Sequence, residues 1–294
     1  RKDKYKVEQK INVSAGLDIV EKEIKKYEGV VIYDVHSETR NKILKFCYGN
    51  DIRAYSTTKV SDILIRGAES LHIFDTPLLL YRNHGLSFEQ RFLKRTMDIL
   101  VSALMLLITS PIFLVASIAI KLYDGGPVFY RQARCTMNGK VFHIFKFRSM
   151  IVDAEKDGKS QPAADHDPRI TPVGRILRAT RLDELPQLID ILIGNMSLVG
   201  PRPERVEHVE KYTEDLAEFE YRLKVRGGLT GYAQIYGKYN TSPYDKLQLD
   251  LIYIQNYSIF LDIKLILMTI KIMFMKESTE GFTEEQRKDI QEKE

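Results

Sequence analysis

The segment GRILRATRLDELPQL (174–188) places three arginines beside two adjacent carboxylates. Arg175, Arg178 and Arg181 recur every third position, so one continuous helix would align them along a slanted stripe. Asp183 and Glu184 follow, with Pro186 close behind. Proline favours the first turn of a helix, so a new helix is expected near Leu185, with both carboxylates at its positive end. That setting keeps an aspartate ionised and attracts phosphate. An ionised carboxylate can attack phosphorus and form an acyl phosphate. A divalent cation would screen its charge from an anionic substrate. An Asp-Glu pair at a helix start is also an ordinary capping arrangement. The surrounding arginines are what turn the reading toward phosphate.

Two more segments add to that supply. In GNMSLVGPRPE (194–204), Arg202 is clamped between Pro201 and Pro203, which leaves the backbone little freedom to lose on binding. VRGGLTGYAQIYGKYN (225–240) adds Arg226, Lys238 and the glycines Gly227, Gly228 and Gly231. Glycines let a backbone approach a ligand closely, and guanidinium forks suit phosphate oxygens.

The elements that must hold these residues read in two parts. Residues 1 to 88 look like an α/β unit. GVVIYDV (29–35), IRAYSTT (52–58) and LHIFDTPLLL (71–80) are expected strands. GLDIVEKEIKKY (16–27) and RNKILKFCYGN (40–50) are helix-like. Alternating strands and helices imply a parallel, doubly wound, Rossmann-like domain. Neither G-x-G-x-x-G nor a P-loop follows any of these strands, so a structural or regulatory role is favoured over a cofactor site. In the second part, Asn138-Gly139 between aromatic-rich flanks signals a hairpin. VDAEKDGKSQPAADHDPRITPVG (152–174) is a long polar loop of the kind that serves as a lid or binding segment. Helical patterns resume through RILRATRLDELPQLIDILI and RVEHVEKYTEDLAEFEYRLKV. Near the C-terminus, NYSIFLDIKLILMTIKIMFMK (256–276) is apolar but carries Asp262, Lys264 and Lys271. A helix lying in a membrane interface is expected there, with a soluble core helix as the alternative. Residues 281–294 form a charged tail.

Between the two parts, the chain runs from Ile99 to Ile120 without a charge, and a membrane-spanning helix needs about 20 such residues. Its flanks are basic on both sides: Arg91, Lys94 and Arg95 before it, Lys121, Arg131 and Arg134 after it. A true span favours basic residues on one side. Pro111 removes a backbone donor and disfavours helical geometry at Ser110, while the hydroxyls of Thr109 and Ser110 stand ready for freed carbonyls. A re-entrant helix-break-helix over about 96–121 accounts for all three features. A kinked span accounts for the proline and hydroxyls alone, and a buried soluble helix is disfavoured by the uncharged length.

The bulk properties narrow the classes. The net charge of +4 argues against nucleic acid as a partner. Cys47 and Cys135 show no pairing pattern, which fits a reducing compartment. The six histidines lack metal-ligand spacing, which argues against zinc. The absence of a starting Met suggests a fragment whose upstream domains or spans are missing. The residues thus point to a phosphate-handling site beside a membrane-embedded hairpin, and to a substrate joining a phosphate to a lipid tail.

From Phe92 to Lys276 the chain resembles the bacterial sugar transferases, the monotopic phosphoglycosyl transferases. The resemblance rests on KRTMDI, Ser110-Pro111, GPVFYRQ, FKFRSM, LDELPQL, GNMSLVGPRP, GLTGYAQIYGK and LDLIYIQNYSIFLDIKLI, in that order. The unit before it looks like the Rossmann-like domain of the family's large members. The resemblance implies an α+β monotopic membrane domain over 89–280, with interfacial amphipathic helices. It implies transfer of a sugar 1-phosphate from a UDP-sugar to undecaprenyl (polyprenol) phosphate with release of UMP, through a covalent phosphosugar intermediate and with Mg2+. Asp183 would be nucleophile and metal contact, and Glu184 would assist. Arg178 and Arg202 would steady the site, and Ser110 and Pro111 would form the hairpin break; Arg148, Arg175, Arg226 and Lys238 complete, with those two arginines, the set of substrate- and phosphate-binding candidates. Lys238 stands where many members carry Arg, and Gly-Gly-Leu-Thr-Gly-Tyr stands where Pro-Gly and Trp are common. The implied place is the bacterial inner membrane with the catalytic domain on its cytoplasmic face, and a homodimer is compatible with it. A non-catalytic membrane adaptor sensing nucleotide-sugars is the alternative.

Overall fold

The computed structural model describes residues 6–81, 85–152, 154, 167–237 and 241–273. The chain divides into two compact units, Arg1–Lys59 and Val60–Glu294.

In the first unit, α1 (Leu17–Ile24), β1 (Gly29–Ile32), α2 (Ser37–Gly49) and β2 (Arg53–Ser56) follow one another. β1 and β2 pair in parallel, Gly29 opposite Arg53 and Ile32 opposite Ser56. Val20, Ile24, Ile32, Ile43 and Cys47 form their core.

The second unit opens with α3 (Val60–Arg66), then β3 (Glu69–Ile73) and β4 (Thr76–Leu80). The expected single strand over 71–80 is instead part of an antiparallel hairpin, with Ile73 opposite Thr76. Its turn falls inside the apolar run, where Phe74 takes a φ of 54°. An Asp-Thr-Pro turn signal lies there, and the hydrophobicity around it hides it from a pattern reading. All ten residues of its two strands are exposed.

α4 (Phe88–Asp124) is the longest element and contains Pro111. Ser87 caps it through a reciprocal box with Gln90, and Gly125 ends it in the left-handed region. Helical structure runs through Ser110 and Pro111. Pro111 cannot donate to the Leu107 carbonyl, and the Ser110 hydroxyl donates to that same carbonyl at 2.8 Å. Thr109 does likewise for Met105 at 2.7 Å. α4 is the one described helix long and apolar enough to cross a membrane. Its middle is exposed at Leu100, Leu104, Leu107, Ile108, Leu114 and Val115. Both ends dock on the same unit. Lys94 and Asp98 are buried near the start, and Ala116 and Ile120 near the finish pack with Phe147 and Leu177.

β5 (Phe129–Cys135) and β6 (Val141–Phe147) form the expected hairpin, with Asn138 and Gly139 at φ 59° and 72°. α5 (Pro172–Ala179), α6 (Gln187–Ile193) and β7 (Ser197–Val199) follow. Then come α7 (Val206–Asp215), β8 (Gly228–Thr230), α8 (Tyr232–Tyr236), α9 (Pro243–Gln255) and α10 (Ile259–Met273). β7 and β8 pair in parallel, and the main core gathers Leu188, Ile191, Met196, Val199, Phe219, Leu247, Leu251 and Leu265 around them. On α10, Phe260, Ile263, Leu267 and Ile270 form an exposed apolar stripe, with Lys264 and Lys271 also exposed. Asp262, which looked like an interruption, is fully buried against Lys94.

Candidate active site

The helix expected through Arg181 ends early. Thr171 caps α5, Pro172 begins it, and it stops at Ala179. Arg181 then takes a φ of 57°, and Leu182–Glu184 form a single 3-10 turn. Pro186 caps α6, which begins at Gln187. The three arginines therefore do not share one helical stripe: Arg175 and Arg178 lie on α5, and Arg181 lies on the reversal. After the break, Glu184 reaches β6 and the Gly200–Glu204 loop, while Asp183 keeps Arg178 of α5 among its charged neighbours.

Glu184 is held from both of those elements. Its Oε1 accepts from Lys146 Nζ at 3.0 Å and from Arg202 Nη2 at 3.0 Å. Burial works against its ionisation, but Lys146, Arg202 and Arg181 outweigh that and hold its carboxyl well below the usual range. Asp183 goes the other way. Burial and the charge of Glu184 raise it, with Lys146, Arg178 and Arg181 opposing. Among the described residues no hydrogen bond reaches the Asp183 carboxylate. Adjacent carboxylates in such different surroundings are the arrangement that separates roles in a site.

The loop bearing Arg202 is fixed from behind. Arg222, buried, donates to the Arg202 carbonyl at 3.1 Å and pairs with the buried Asp250 at 2.7 Å. Arg134 donates to the Pro203 carbonyl at 3.1 Å. Lys246 lies 3.3 Å from Glu204. Burial disfavours the Glu204 charge, yet Lys246, Arg222 and Arg202 hold its pKa at about 2. The glycines serve this packing. A Cβ on Gly228 would sit 2.1 Å from the Gly200 nitrogen, and one on Gly227 would sit 2.5 Å from Pro203. Their closeness is to the Gly200 backbone and the Pro203 ring, so the expectation that they open space for a ligand is replaced by a packing role.

The remaining expected residues spread more widely. Arg178 is half-buried near Asp183, while Arg175 is exposed one turn earlier. Arg148 is buried. It donates to the Pro127 carbonyl at 2.7 Å and to both oxygens of Asp124, whose pKa this drives down to about 2. Arg226 has Arg95, Asp98 and Arg91 of α4 as its charged neighbours. Lys238 lies outside the described residues, as do most of the 152–174 loop and the charged tail.

Lys146, Arg222 and Asp250 were missed from sequence. Lys146 had a signal: a lone cation in an otherwise apolar strand end, FHIFKF, needs a partner. Arg222 and Asp250 sit in helical patterns where charges ordinarily face water.

A family model described as bacterial sugar transferase matches residues 89–276. A UDP-glucose:undecaprenyl-phosphate glucose-1-phosphate transferase of Klebsiella pneumoniae is 39% identical over 254 residues, covering 85% of this chain and 53% of the relative. A protein of the same name from Escherichia coli K12 is 42% identical over 70% of this chain and 44% of its own length. A UDP-N-acetylgalactosamine-undecaprenyl-phosphate N-acetylgalactosaminephosphotransferase of Aeromonas hydrophila is 40% identical over 61% of this chain and 43% of its own. The chain thus spans about half the length of these curated relatives.

Proposed function

The chain belongs to the bacterial sugar transferases, and on that premise we propose that it transfers a sugar 1-phosphate from a UDP-sugar to undecaprenyl phosphate, releasing UMP. The observation carrying this reading is the split carboxylate pair: Glu184 tied to Lys146 and Arg202, and Asp183 beside it with no hydrogen bond from the described residues. An Asp183 oxygen attacks the phosphorus that bears the sugar. The new bond is Asp183 oxygen to phosphorus, and the bond that breaks joins this phosphorus to the oxygen carried off by UMP. An oxygen of the polyprenol phosphate then attacks the same phosphorus and returns Asp183 to a free carboxylate. Lys146, Arg178 and Arg202 offer positive charge around the transferring group.

The donor set suits Mg2+, a hard cation that takes one or two carboxylates alongside substrate phosphates. The Asp183 oxygens accept no hydrogen bond from the described residues, and Glu184 would stand close by. When bound, the ion would offset charge between carboxylate and phosphate. Arg202 and Lys146 keep Glu184 ionised and fixed in place.

α4 is the membrane anchor in this reading, as a re-entrant hairpin bent near Ser110-Pro111 that leaves the site on the cytoplasmic face of the inner membrane. Support comes from both ends of α4 docking on one unit while its middle stays apolar and exposed. The apolar stripe of α10, with Lys264 and Lys271, suits the headgroup level.

The test is UMP release in membranes supplied with Mg2+, polyprenol phosphate and a panel of UDP-sugars. Asp183→Asn is expected to lower the rate by at least about 10³-fold, since the amide is no nucleophile. Substantial residual turnover overturns the assignment of Asp183.

A further inference from the structure

Beneath the anchor lies a polar cluster that plays no part in the transfer steps above. Lys94 of α4, 7% exposed at its side chain, donates to Asp262 Oδ2 of α10 at 2.5 Å and to the Tyr253 hydroxyl of α9 at 3.1 Å. The Tyr253 hydroxyl in turn lies 2.8 Å from Asp262 Oδ1 and 3.2 Å from the Val199 carbonyl of β7. A phenol has one proton, so Asp262 and Val199 share a single donor. Burial and the Asp262 carboxylate keep that phenol protonated. Asp98, one turn beyond Lys94, makes a second tie to β7. It accepts from the Ser197 hydroxyl at 3.0 Å and the Leu198 amide at 2.9 Å.

β7 leads directly into the loop that carries Arg202. Gly200 donates to the Thr230 carbonyl at 2.8 Å, and Gly228 donates to the Pro201 carbonyl at 2.8 Å. With β8 gripping it this closely, the loop has little slack between Val199 and Arg202. A shift of Val199 therefore reaches the guanidinium at Glu184. α4 and α10 both present apolar faces outward, so the pull on Lys94 and Asp262 depends on how these helices are seated.

We infer that Tyr253 is a positioning residue: its hydroxyl pins α4 and α10 to β7 and thereby sets where Arg202 stands against Glu184. It rests on the transfer reaction proposed above. Buried polar groups that hydrogen-bond one another fix a single arrangement more sharply than apolar packing does. A hub of one hydroxyl between two helices and a strand is suited to that. Its failure would leave the core packed but the loop loosely set.

Tyr253→Phe tests this, because the ring and its edge contact with Tyr257 remain. The full chain is reconstituted in nanodiscs, and UMP release is measured with amide exchange over residues 200–204. The expected result is a fall of about tenfold in kcat with KM for the UDP-sugar changed by less than about twofold, and faster exchange in the loop. Unchanged kcat overturns the inference. So does a lower kcat with loop exchange at the wild-type rate. Should Tyr253→Phe fail to fold, Asp262→Asn weakens the same hub without opening a cavity and is read by the same pair of measurements. Wild-type protein that releases no UMP with any UDP-sugar ends the transferase reading instead, and the exchange comparison still decides whether the hub sets the loop.

Discussion

Arg202 meets Glu184 at 3.0 Å, and the same oxygen also receives Lys146 at 3.0 Å, from a strand residue 38 positions before Glu184. One carboxylate oxygen thus joins β6, the turn after α5 and the loop after β7. The two cations hold Glu184 ionised, and their removal should act on catalysis more than on folding. Lys146→Met and Arg202→Gln are each expected to lower kcat by about 10–100-fold. Because both act on one carboxylate, the double variant should lose less than the product of the single losses. Initial rates of UMP release from all four proteins check this, and full multiplicativity would break the link through Glu184.

The glycine cluster makes a stability prediction. Gly228→Ala places a Cβ 2.1 Å from the Gly200 nitrogen, and overpacking against backbone costs about 1–3 kcal/mol. Melting of Gly228→Ala should fall clearly below wild type. Gly49→Ala, which meets nothing within 4 Å, serves as the control. An unshifted Gly228→Ala would show that the β7–β8 contact yields easily.

Acid should loosen the Arg202 loop from behind. Glu204 is held at a pKa of about 2 in the fold, below its ordinary value of about 4.3. A lowered pKa contributes stability above the ordinary value, and that contribution is lost as pH falls toward the folded one. Melting temperature should therefore drop as pH falls from about 4.5 toward 2, and Glu204→Gln should flatten that slope while lowering stability at neutral pH. An acid slope identical in wild type and Glu204→Gln would assign the loss to other carboxylates.

Topology is open to labelling. Cys47 and Cys135 are both buried, whereas Leu93 and Leu122 are exposed at either end of the apolar part of α4. Leu93→Cys and Leu122→Cys should both react with an impermeant maleimide from the cytoplasmic side alone. Labelling from opposite sides would make α4 a span.

Much of this site was legible from the chain. The hairpin at Asn138-Gly139 was visible because two residues tolerant of positive φ sit between β-prone flanks, a strictly local property. The family resemblance over 92–276 agrees with the match over 89–276, because several ordered motifs carry it together. Other features were hidden for a physical reason. The helix running through Arg181 looked continuous because nothing in that residue announces a φ of 57°. A non-glycine residue keeps such a φ only where the surrounding structure holds it there. LHIFDTPLLL read as one strand because its apolar content masked the turn. Arg148 looked like a ligand for phosphate, since composition cannot show that Asp124 and Pro127 already occupy its fork.

The sequence by itself determined which residue types are present and where local geometry must bend: a carboxylate pair, prolines around Arg202, a long uncharged run with Pro111. Those follow from backbone sterics and side-chain chemistry acting over a few residues. Only the tertiary structure decided which cation faces which anion. Lys146 to Glu184, Lys94 to Asp262 and Arg222 to Asp250 join residues 38, 168 and 28 positions apart. In the last two pairs both partners are buried, and in the first both are partly so; a charge withdrawn from water must find its partner wherever the fold brings one. That requirement acts through space, and the order of residues along the chain does not record it.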